Sequence, residues 1–280
     1  MAFDARELID LACYPIDENG PAREALVTRV QADLSGDGCA VIKRFLTPQG
    51  TALLAAEADS NSDKGHRSFN RTNVYFTKDD PSLPITDPRR RFFDRSNSFI
   101  SADNFPKAGP LRTVHDFAAF DPFIRDCLQQ DRFFRYADPL ADVIVNMADE
   151  GYGFPWHFDT NNFTVTMALQ NAEEGGEFEY APNIRTGGEN FVEVQKVLDG
   201  TSGKVKTLRL EPGDLQLFRG RYSLHRVTPL KGPTPRYVAI ISYVDEPGMV
   251  ATPERCLQLY GKVLPIHYER AGLRADSYID

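Results

Sequence analysis

The second half of the chain is a succession of short β-runs cut by glycine and proline. From Leu140 onward, ADVIVNM, FTVTMALQ, GEFEY, VKTLRL, LQLFRG and RYVAIISYV are rich in β-branched and aromatic residues. Gly-Gly, Pro-Gly-Asp and Lys-Gly-Pro turns separate them. Six or more short strands with little helix between them restrict this half to a β-sandwich or jelly roll. One amphipathic insert, Glu189 to Leu198, interrupts the runs and is predicted to be a short helix.

The first third is different. Arg23 to Leu34 places Leu26, Val27, Val30 and Leu34 at helical spacing and stops at Ser35-Gly36. Cys39 to Ile42 reads as a strand, and Thr47-Pro48 as a helix start with threonine at the N-cap and proline in the first turn. These helices are expected to pack outside the β-core. Between Asn61 and Pro110 five prolines and six arginines accumulate (Arg67, Arg71, Arg89, Arg90, Arg91 and Arg95). That stretch is predicted to be mostly loop with one strand over Thr72–Thr77, and it is either a solvated connector or part of a binding site.

Charge and composition narrow the function. The 280 residues carry 32 Lys+Arg against 40 Asp+Glu, a formal charge of −8, which disfavours nucleic acid as the main partner. No run is long and apolar enough to span a bilayer, and the N-terminus lacks the basic-then-apolar pattern of a signal peptide. No membrane partner and a cytoplasmic location are therefore expected. Cys13, Cys39, Cys127 and Cys256 are scattered, which removes thiolate zinc and leaves reduced, mostly buried thiols as the expectation. Nothing in the chain fixes its oligomeric state, with a homodimer left open.

The chemistry concentrates in Phe154-Pro-Trp-His157-Phe158-Asp159. On an extended chain residues two apart share a face, so His157 and Asp159 project together. An imidazole and a carboxylate are two thirds of the 2-His-1-carboxylate triad that holds Fe(II) with open positions. His-x-Asp alone is a common pair. Here a Glu211-Pro-Gly-Asp214 turn follows it, then His225 as a possible third ligand, then Arg236 at the start of a strand. Arginine offers a planar fork to a carboxylate that lysine does not reproduce. His66, His115 and His267 have no such partner and are read as structural.

These four parts in this order resemble the Fe(II)/2-oxoglutarate-dependent dioxygenase superfamily, over roughly Leu140 to Val244. GYGFPWHFD, GGEFEY, PGDLQLFRGRYSLHRVTP and the earlier NVYFTKDDPSLP are also similar to a bacterial subgroup of free-amino-acid hydroxylases and related halogenases. The resemblance implies a mainly β fold with flanking helices and a double-stranded β-helix core, a jelly-roll, cupin-like barrel. One oxygenase domain over 1–280 is expected, with 1–135 packing on and capping the barrel, 136–250 forming the jelly roll and 251–280 a C-terminal helical tail.

It implies further that His157, Asp159 and His225 bind Fe(II), and that Arg236 grips the distal carboxylate of 2-oxoglutarate. Asn146 and Thr166 would contact the same co-substrate. In halogenating relatives a small residue replaces the carboxylate and chloride takes its place. Asp159 therefore points to hydroxylation of an unactivated C–H with O2, turning 2-oxoglutarate into succinate and CO2. For a small-molecule substrate such as an amino acid, Arg71, Arg90 and Arg95 are candidates for its carboxylate, and Asp79 or Asp80 for its ammonium. Trp156 either lines the pocket or packs. A carrier- or peptide-bound substrate, desaturation or cyclisation, a zinc hydrolase and a non-catalytic jelly-roll binding protein remain the alternatives.

Overall fold

The computed structural model describes residues 3–161, 163–270 and 278–279. In its N-terminal part α1 (Ala5–Leu8), α2 (Pro21–Asp37), β1 (Cys39–Ile42) and α3 (Pro48–Ser60) follow one another, then β2 (His66–Thr72) and β3 (Phe93–Ile100). Next come α4 (Pro110–His115), α5 (Phe120–Leu128), β4 (Phe134–Arg135), β5 (Val143–Ala148), β6 (Phe154–His157), β7 (Phe163–Gln170) and β8 (Phe178–Ala181). After α6 (Phe191–Leu198) the chain forms β9 (Lys206–Leu208), β10 (Leu215–Phe218), β11 (Leu224–Val227) and β12 (Arg236–Val244), and it closes with α7 (Pro253–Tyr260) and α8 (Pro265–Glu269).

Among the described residues the strands form two antiparallel sheets. The larger runs β1-β10-β7-β12-β5-β3-β2, with β4 also on β12, and the smaller runs β6-β11-β8-β9. This is the expected mainly β jelly-roll architecture with flanking helices. The larger sheet draws β1, β2 and β3 from the first hundred residues, so the N-terminal part is woven into it as well as packed on it.

Period-two patterning decides what each face of the large sheet does. On β12, Tyr237, Ala239, Ile241 and Tyr243 join the core shared with the helices, alongside Val143, Val145, Val165, Met167, Leu215 and Leu217. The intervening Arg236, Val238, Ile240 and Ser242 line a cavity between the two sheets. A one-residue slip of β12 would push Arg236 into the helix core, so register here is under strong selection by burial. Helix ends follow local chemistry: the Thr47 hydroxyl accepts the Gly50 N–H at 2.8 Å, and Asn190 caps α6 by accepting from Glu193 N at 3.1 Å.

The Pro/Arg-rich stretch departs from expectation. Its strands are His66–Thr72 and Phe93–Ile100, whereas after Thr72 the chain leaves the strand and turns at Val74-Tyr75. Asn73, fully buried, is the cause: its Oδ1 accepts from Tyr75 N at 3.0 Å and Thr77 N at 3.2 Å. Its Nδ2 donates to Thr77 Oγ1 at 2.8 Å and Arg89 O at 2.5 Å. The side chain thus satisfies backbone groups that a strand would have paired with a neighbour. The same turn sets Phe76 at φ +61°, a left-handed conformation rare for an aromatic residue.

Candidate metal centre and its cavity

A β-bulge aims the first histidine. His225 pairs with His157 but Val227 pairs with Phe154, so Pro155 and Trp156 of β6 oppose the single Arg226 of β11. Pro155 sits within this bulge on an edge strand, where its missing N–H is harmless. The bulge brings Phe154 and His157, three apart, to the same cavity. It also turns Trp156 away. Trp156 does not line the cavity and lies instead beneath the Arg226 guanidinium, 4.8 Å from the ring centroid. Its packing role replaces the pocket role considered from sequence.

Asp159 follows the end of β6. Its N–H donates to Gly220 O at 3.1 Å, and its Oδ2 accepts from Thr164 Oγ1 at 2.5 Å. Gly220 is required by space, because a Cβ placed there would stand 1.8 Å from Asp159 Oδ2. His225 comes from the centre of the small sheet, with its ring edge-on to Phe218 at 4.8 Å.

The three side chains converge. Asp159 Oδ1 lies 3.8 Å from His157 Nε2 and 3.4 Å from His225 Nε2, and one ligand atom from each residue falls within 4.8 Å of the others. His157 Nδ1 donates to Pro155 O at 2.7 Å and His225 Nδ1 to Ser223 O at 2.9 Å. Each imidazole thereby turns its Nε2 toward the carboxylate and leaves that nitrogen as the one a metal ion would take. Burial lowers the His157 pKa, reinforced by His225 and Arg95 nearby. Burial alone would raise Asp159, but His225, His157 and the Thr164 hydroxyl outweigh it and keep the carboxyl ionised. Two imidazoles and one carboxylate with their second atoms hydrogen-bonded form a donor set that fits Fe(II).

In a second trio, Asp138, Cys256 and His267, one ligand atom from each residue also lies within 4.8 Å of the others. It is a hydrogen-bonded clasp instead. His267 Nδ1 accepts from Leu264 N at 2.9 Å and its Nε2 donates to Asp138 Oδ1 at 3.1 Å, so both ring nitrogens are committed. The clasp ties α7 and α8 to the chain before β5, in keeping with a structural His267.

The cavity holding the first trio has a volume of about 170 Å3. Arg236 is 6% exposed, and burial brings its pKa down to about 10, still charged at neutral pH. No hydrogen bond reaches its guanidinium among the described residues. Gly176, at φ +73°, makes room for it, since a Cβ would lie 3.2 Å from Arg236 Cδ. Asn146 and Thr166 face the same cavity: Asn146 Nδ2 donates to Ser98 O at 3.1 Å and Thr166 Oγ1 to Gln216 Oε1 at 2.9 Å.

Of the sequence candidates for substrate contact, only Arg95 is in the cavity. Arg90 is paired with Asp79 at 2.8 and 3.1 Å on the surface, and neither lines the cavity, because the loop neutralises its own charges locally. Arg71 is exposed, opposite Asp94 in the β2–β3 register, and Asp80 is bound to Ser82 at 2.6 Å. Sequence reasoning missed Phe76, Gln216, Gly220 and Arg255. Gly220 had only the signal of a glycine ending a β-run, and Arg255 lies on a short helix whose inward stripe is apolar at Cys256, Leu259 and Tyr260, so a charge beside that stripe reads as solvent-facing.

The family model described as Halogenase D matches residues 23–251. No curated protein matches the sequence significantly. Among solved structures, the chain is similar to a 2OG-Fe(II) oxygenase family oxidoreductase from Burkholderia pseudomallei, at TM-score 0.50 and 13% identity over 82% of this chain and 93% of that one. It is similar to the non-heme alpha-ketoglutarate-dependent epimerase SnoN of nogalamycin biosynthesis, at TM-score 0.54 and 13% identity over 79% and 82%. A Pseudomonas putida prolyl-4-hydroxylase aligns at TM-score 0.50 and 14% identity over 79% of this chain and 99% of that chain. At these identities the likeness is one of fold.

Proposed function

The chain belongs to the Halogenase D family and has the fold of the 2OG-Fe(II) oxygenases, and on that premise we propose that it hydroxylates an unactivated C–H of a small substrate, a free amino acid, with Fe(II), 2-oxoglutarate and O2. The observation that carries the reading is the carboxylate of Asp159 facing two histidine Nε2 atoms at 3.8 and 3.4 Å. His157, Asp159 and His225 would hold the iron. Bound there, Fe(II) supplies the O2 activation that couples decarboxylation of 2-oxoglutarate to oxidation of the substrate.

The protein's own part is binding and orientation. Arg236 offers two parallel N–H donors to the distal carboxylate of 2-oxoglutarate, with Asn146 and Thr166 as the polar groups on neighbouring strands. Phe178 and Phe218 wall the His225 ring at 5.6 and 4.8 Å and exclude water from that side. Asp159 favours hydroxylation over halogenation, because it fills the corner a halide would need.

The test is succinate formation from 2-oxoglutarate under air with Fe(II), across pools of free amino acids, with Asp159→Ala alongside. The expected result is stimulation by one pool, a product heavier by one oxygen, and loss of that product in the variant with or without added chloride. A chlorinated product from the wild-type protein would reverse the reading of Asp159. Consumption of 2-oxoglutarate that no amino acid stimulates would reject the substrate class, and no consumption by the iron-loaded protein would reject the oxygenase.

A further inference from the structure

Two buried arginines that do not line the cavity grip the segment carrying the Asp159 carboxylate. Arg221, 0% exposed, donates from Nη1 to Asp159 O at 3.3 Å, while Gly220 O accepts the Asp159 N–H at 3.1 Å. Both backbone groups of Asp159 are thus fixed by consecutive residues of the turn between β10 and β11. Arg185, 1% exposed, places its Cζ 4.6 Å from the centroid of Phe158, the residue before Asp159, and 5.5 Å from that of Tyr75. The Arg185 N–H donates to Tyr222 O at 3.0 Å, which brings the two arginines together. A guanidinium taken out of water has to be matched by hydrogen bonds and opposite charge, or by aromatic faces. Arg185 Nη1 is enclosed with no hydrogen-bond partner, so aromatic faces carry part of that match.

One of those faces arrives from far along the chain. The Tyr278 ring centroid lies 4.8 Å from Arg185 Cζ and 5.7 Å from Arg221 Cζ, so a single ring serves both cations, and Tyr222 meets it edge-on at 5.6 Å. Ile279 fastens the ring in place. Its carbonyl accepts from Arg185 Nη2 at 2.6 Å, and its N–H donates to Glu189 Oε1 at 3.1 Å. Glu189 in turn accepts from Arg185 Nε at 2.9 and 3.0 Å, so cation, carboxylate and the Ile279 backbone close a ring of hydrogen bonds. The Ile279 side chain packs on the buried cluster that includes Val74, Tyr75 and Phe158. Neither Tyr278 nor Ile279 belongs to a helix or strand, and the sheets do not need them for their ladders. What they touch is the pair of cations that hold residues 158 and 159.

We propose that Tyr278 and Ile279 are positioning residues of the metal centre: docked on Arg185 and Arg221, they keep Arg221 against the Asp159 carbonyl and Arg185 against Phe158, and so set the aim of the Asp159 carboxylate. This rests on the reading of His157, Asp159 and His225 as the iron ligands. Without the Tyr278 ring Arg221 loses an aromatic face, its hold on the Asp159 carbonyl weakens, and the carboxylate is free to turn from the two Nε2 atoms. Partners that orient a metal ligand set metal affinity by about 10–100-fold, and one acting through the ligand's backbone belongs at the lower end of that range.

The experiment is anaerobic calorimetric titration of the full chain with Fe(II), with thermal unfolding of each metal-free variant alongside. Tyr278→Leu keeps an apolar side chain but has no π face, and is expected to weaken Fe(II) binding about ten-fold. Tyr278→Phe keeps the face and is expected to stay within about threefold of wild type. Ile279→Pro, which removes the N–H donated to Glu189, should follow Tyr278→Leu and decides the matter if that variant does not fold. Combining Tyr278→Leu with Arg221→Lys should weaken binding no more than about threefold beyond the weaker single variant, because both act through one contact. A lower unfolding temperature with unchanged Fe(II) affinity in Tyr278→Leu or Ile279→Pro would make the contact merely structural and overturn the inference. Equal losses in Tyr278→Leu and Tyr278→Phe, or losses that multiply in the double variant, would overturn it as well. The wild-type protein is titrated first. If it binds no Fe(II), the metal-centre reading fails; if it binds and the folded variants bind as well, only this inference does.

Discussion

Gly220→Ala is expected to leave the protein folded and remove its iron. A methyl group on Gly220 would stand 1.8 Å from Asp159 Oδ2, 2.5 Å from Cγ and 3.1 Å from Cβ. Non-bonded contacts sit near about 3.5 Å, so the carboxylate must retreat by about 1.5 Å. The backbone cannot take up that movement freely, because Gly220 O accepts the Asp159 N–H at 3.1 Å. The side chain must rotate instead, which breaks the 2.5 Å bond from Thr164 Oγ1 and carries Oδ1 away from the two Nε2 atoms. A hydrogen bond to a charged group contributes about 1.5–3 kcal/mol, and that is the stability loss expected in denaturant unfolding. Metal affinity should fall further. Disturbing a group that merely supports a ligand costs about 10–100-fold, and here the proposed ligand itself would be displaced, so at least about 100-fold is expected. Anaerobic Fe(II) titration reads the affinity. Gly187→Ala serves as control, since nothing lies within 4 Å of its Cβ position. Affinity in Gly220→Ala within threefold of wild type would refute both the displacement and the role given to Asp159.

Arg236→Lys keeps the charge but loses the planar fork; the KM for 2-oxoglutarate should rise by about 2 kcal/mol, roughly thirty-fold, with kcat little changed, in a steady-state titration. An unchanged KM would remove Arg236 from the co-substrate site. A second expectation concerns pH. Burial lowers the pKa of His115, which is 2% exposed, and the neighbouring Arg135 adds to the shift. The unfolded chain therefore takes up the proton first: the stability His115 contributes is intact above pH 6.5 and is lost as pH falls below it. Unfolding free energy should drop by up to about 1.4 kcal/mol between pH 6.5 and 5.5 through this group, and His115→Gln should show a correspondingly flatter profile in urea melts. Equal slopes for the two proteins would rule His115 out as the acid-sensitive group.

The β-rich half announced its own fold because each strand alternates. Tyr237, Ala239, Ile241 and Tyr243 are a readable stripe, and the intervening positions could only face a second surface. Strand β3 was illegible for the converse reason. Its inward side includes Arg95 and Phe99, so charge stands where a core residue is expected and the alternation is masked. The Thr72–Thr77 run looked like a strand by residue type, yet one asparagine side chain redirected its backbone into a turn. Trp156 shows the same limit on a smaller scale, since a single extra residue in β6 reverses which side chains point inward.

Sequence alone determined the order of the chemical groups: His-x-Asp, a Pro-Gly-Asp turn, a distant histidine and an arginine on the last long strand, all on a chain patterned for antiparallel sheets. Those are matters of residue type and period, which are local. Only the tertiary structure decided which arginines matter. Arg71, Arg90 and Arg95 are alike in sequence, but Arg90 is spent on Asp79, Arg71 is left in solvent, and Arg95 is carried by its strand into the cavity with Nε and Nη1 unbonded. Burial and pairing are properties of neighbours distant in the chain. Arg255 reaches the cavity on a C-terminal helix 160 residues beyond Arg95, and Gly220 has no room for a side chain because Asp159 fills the space one would take.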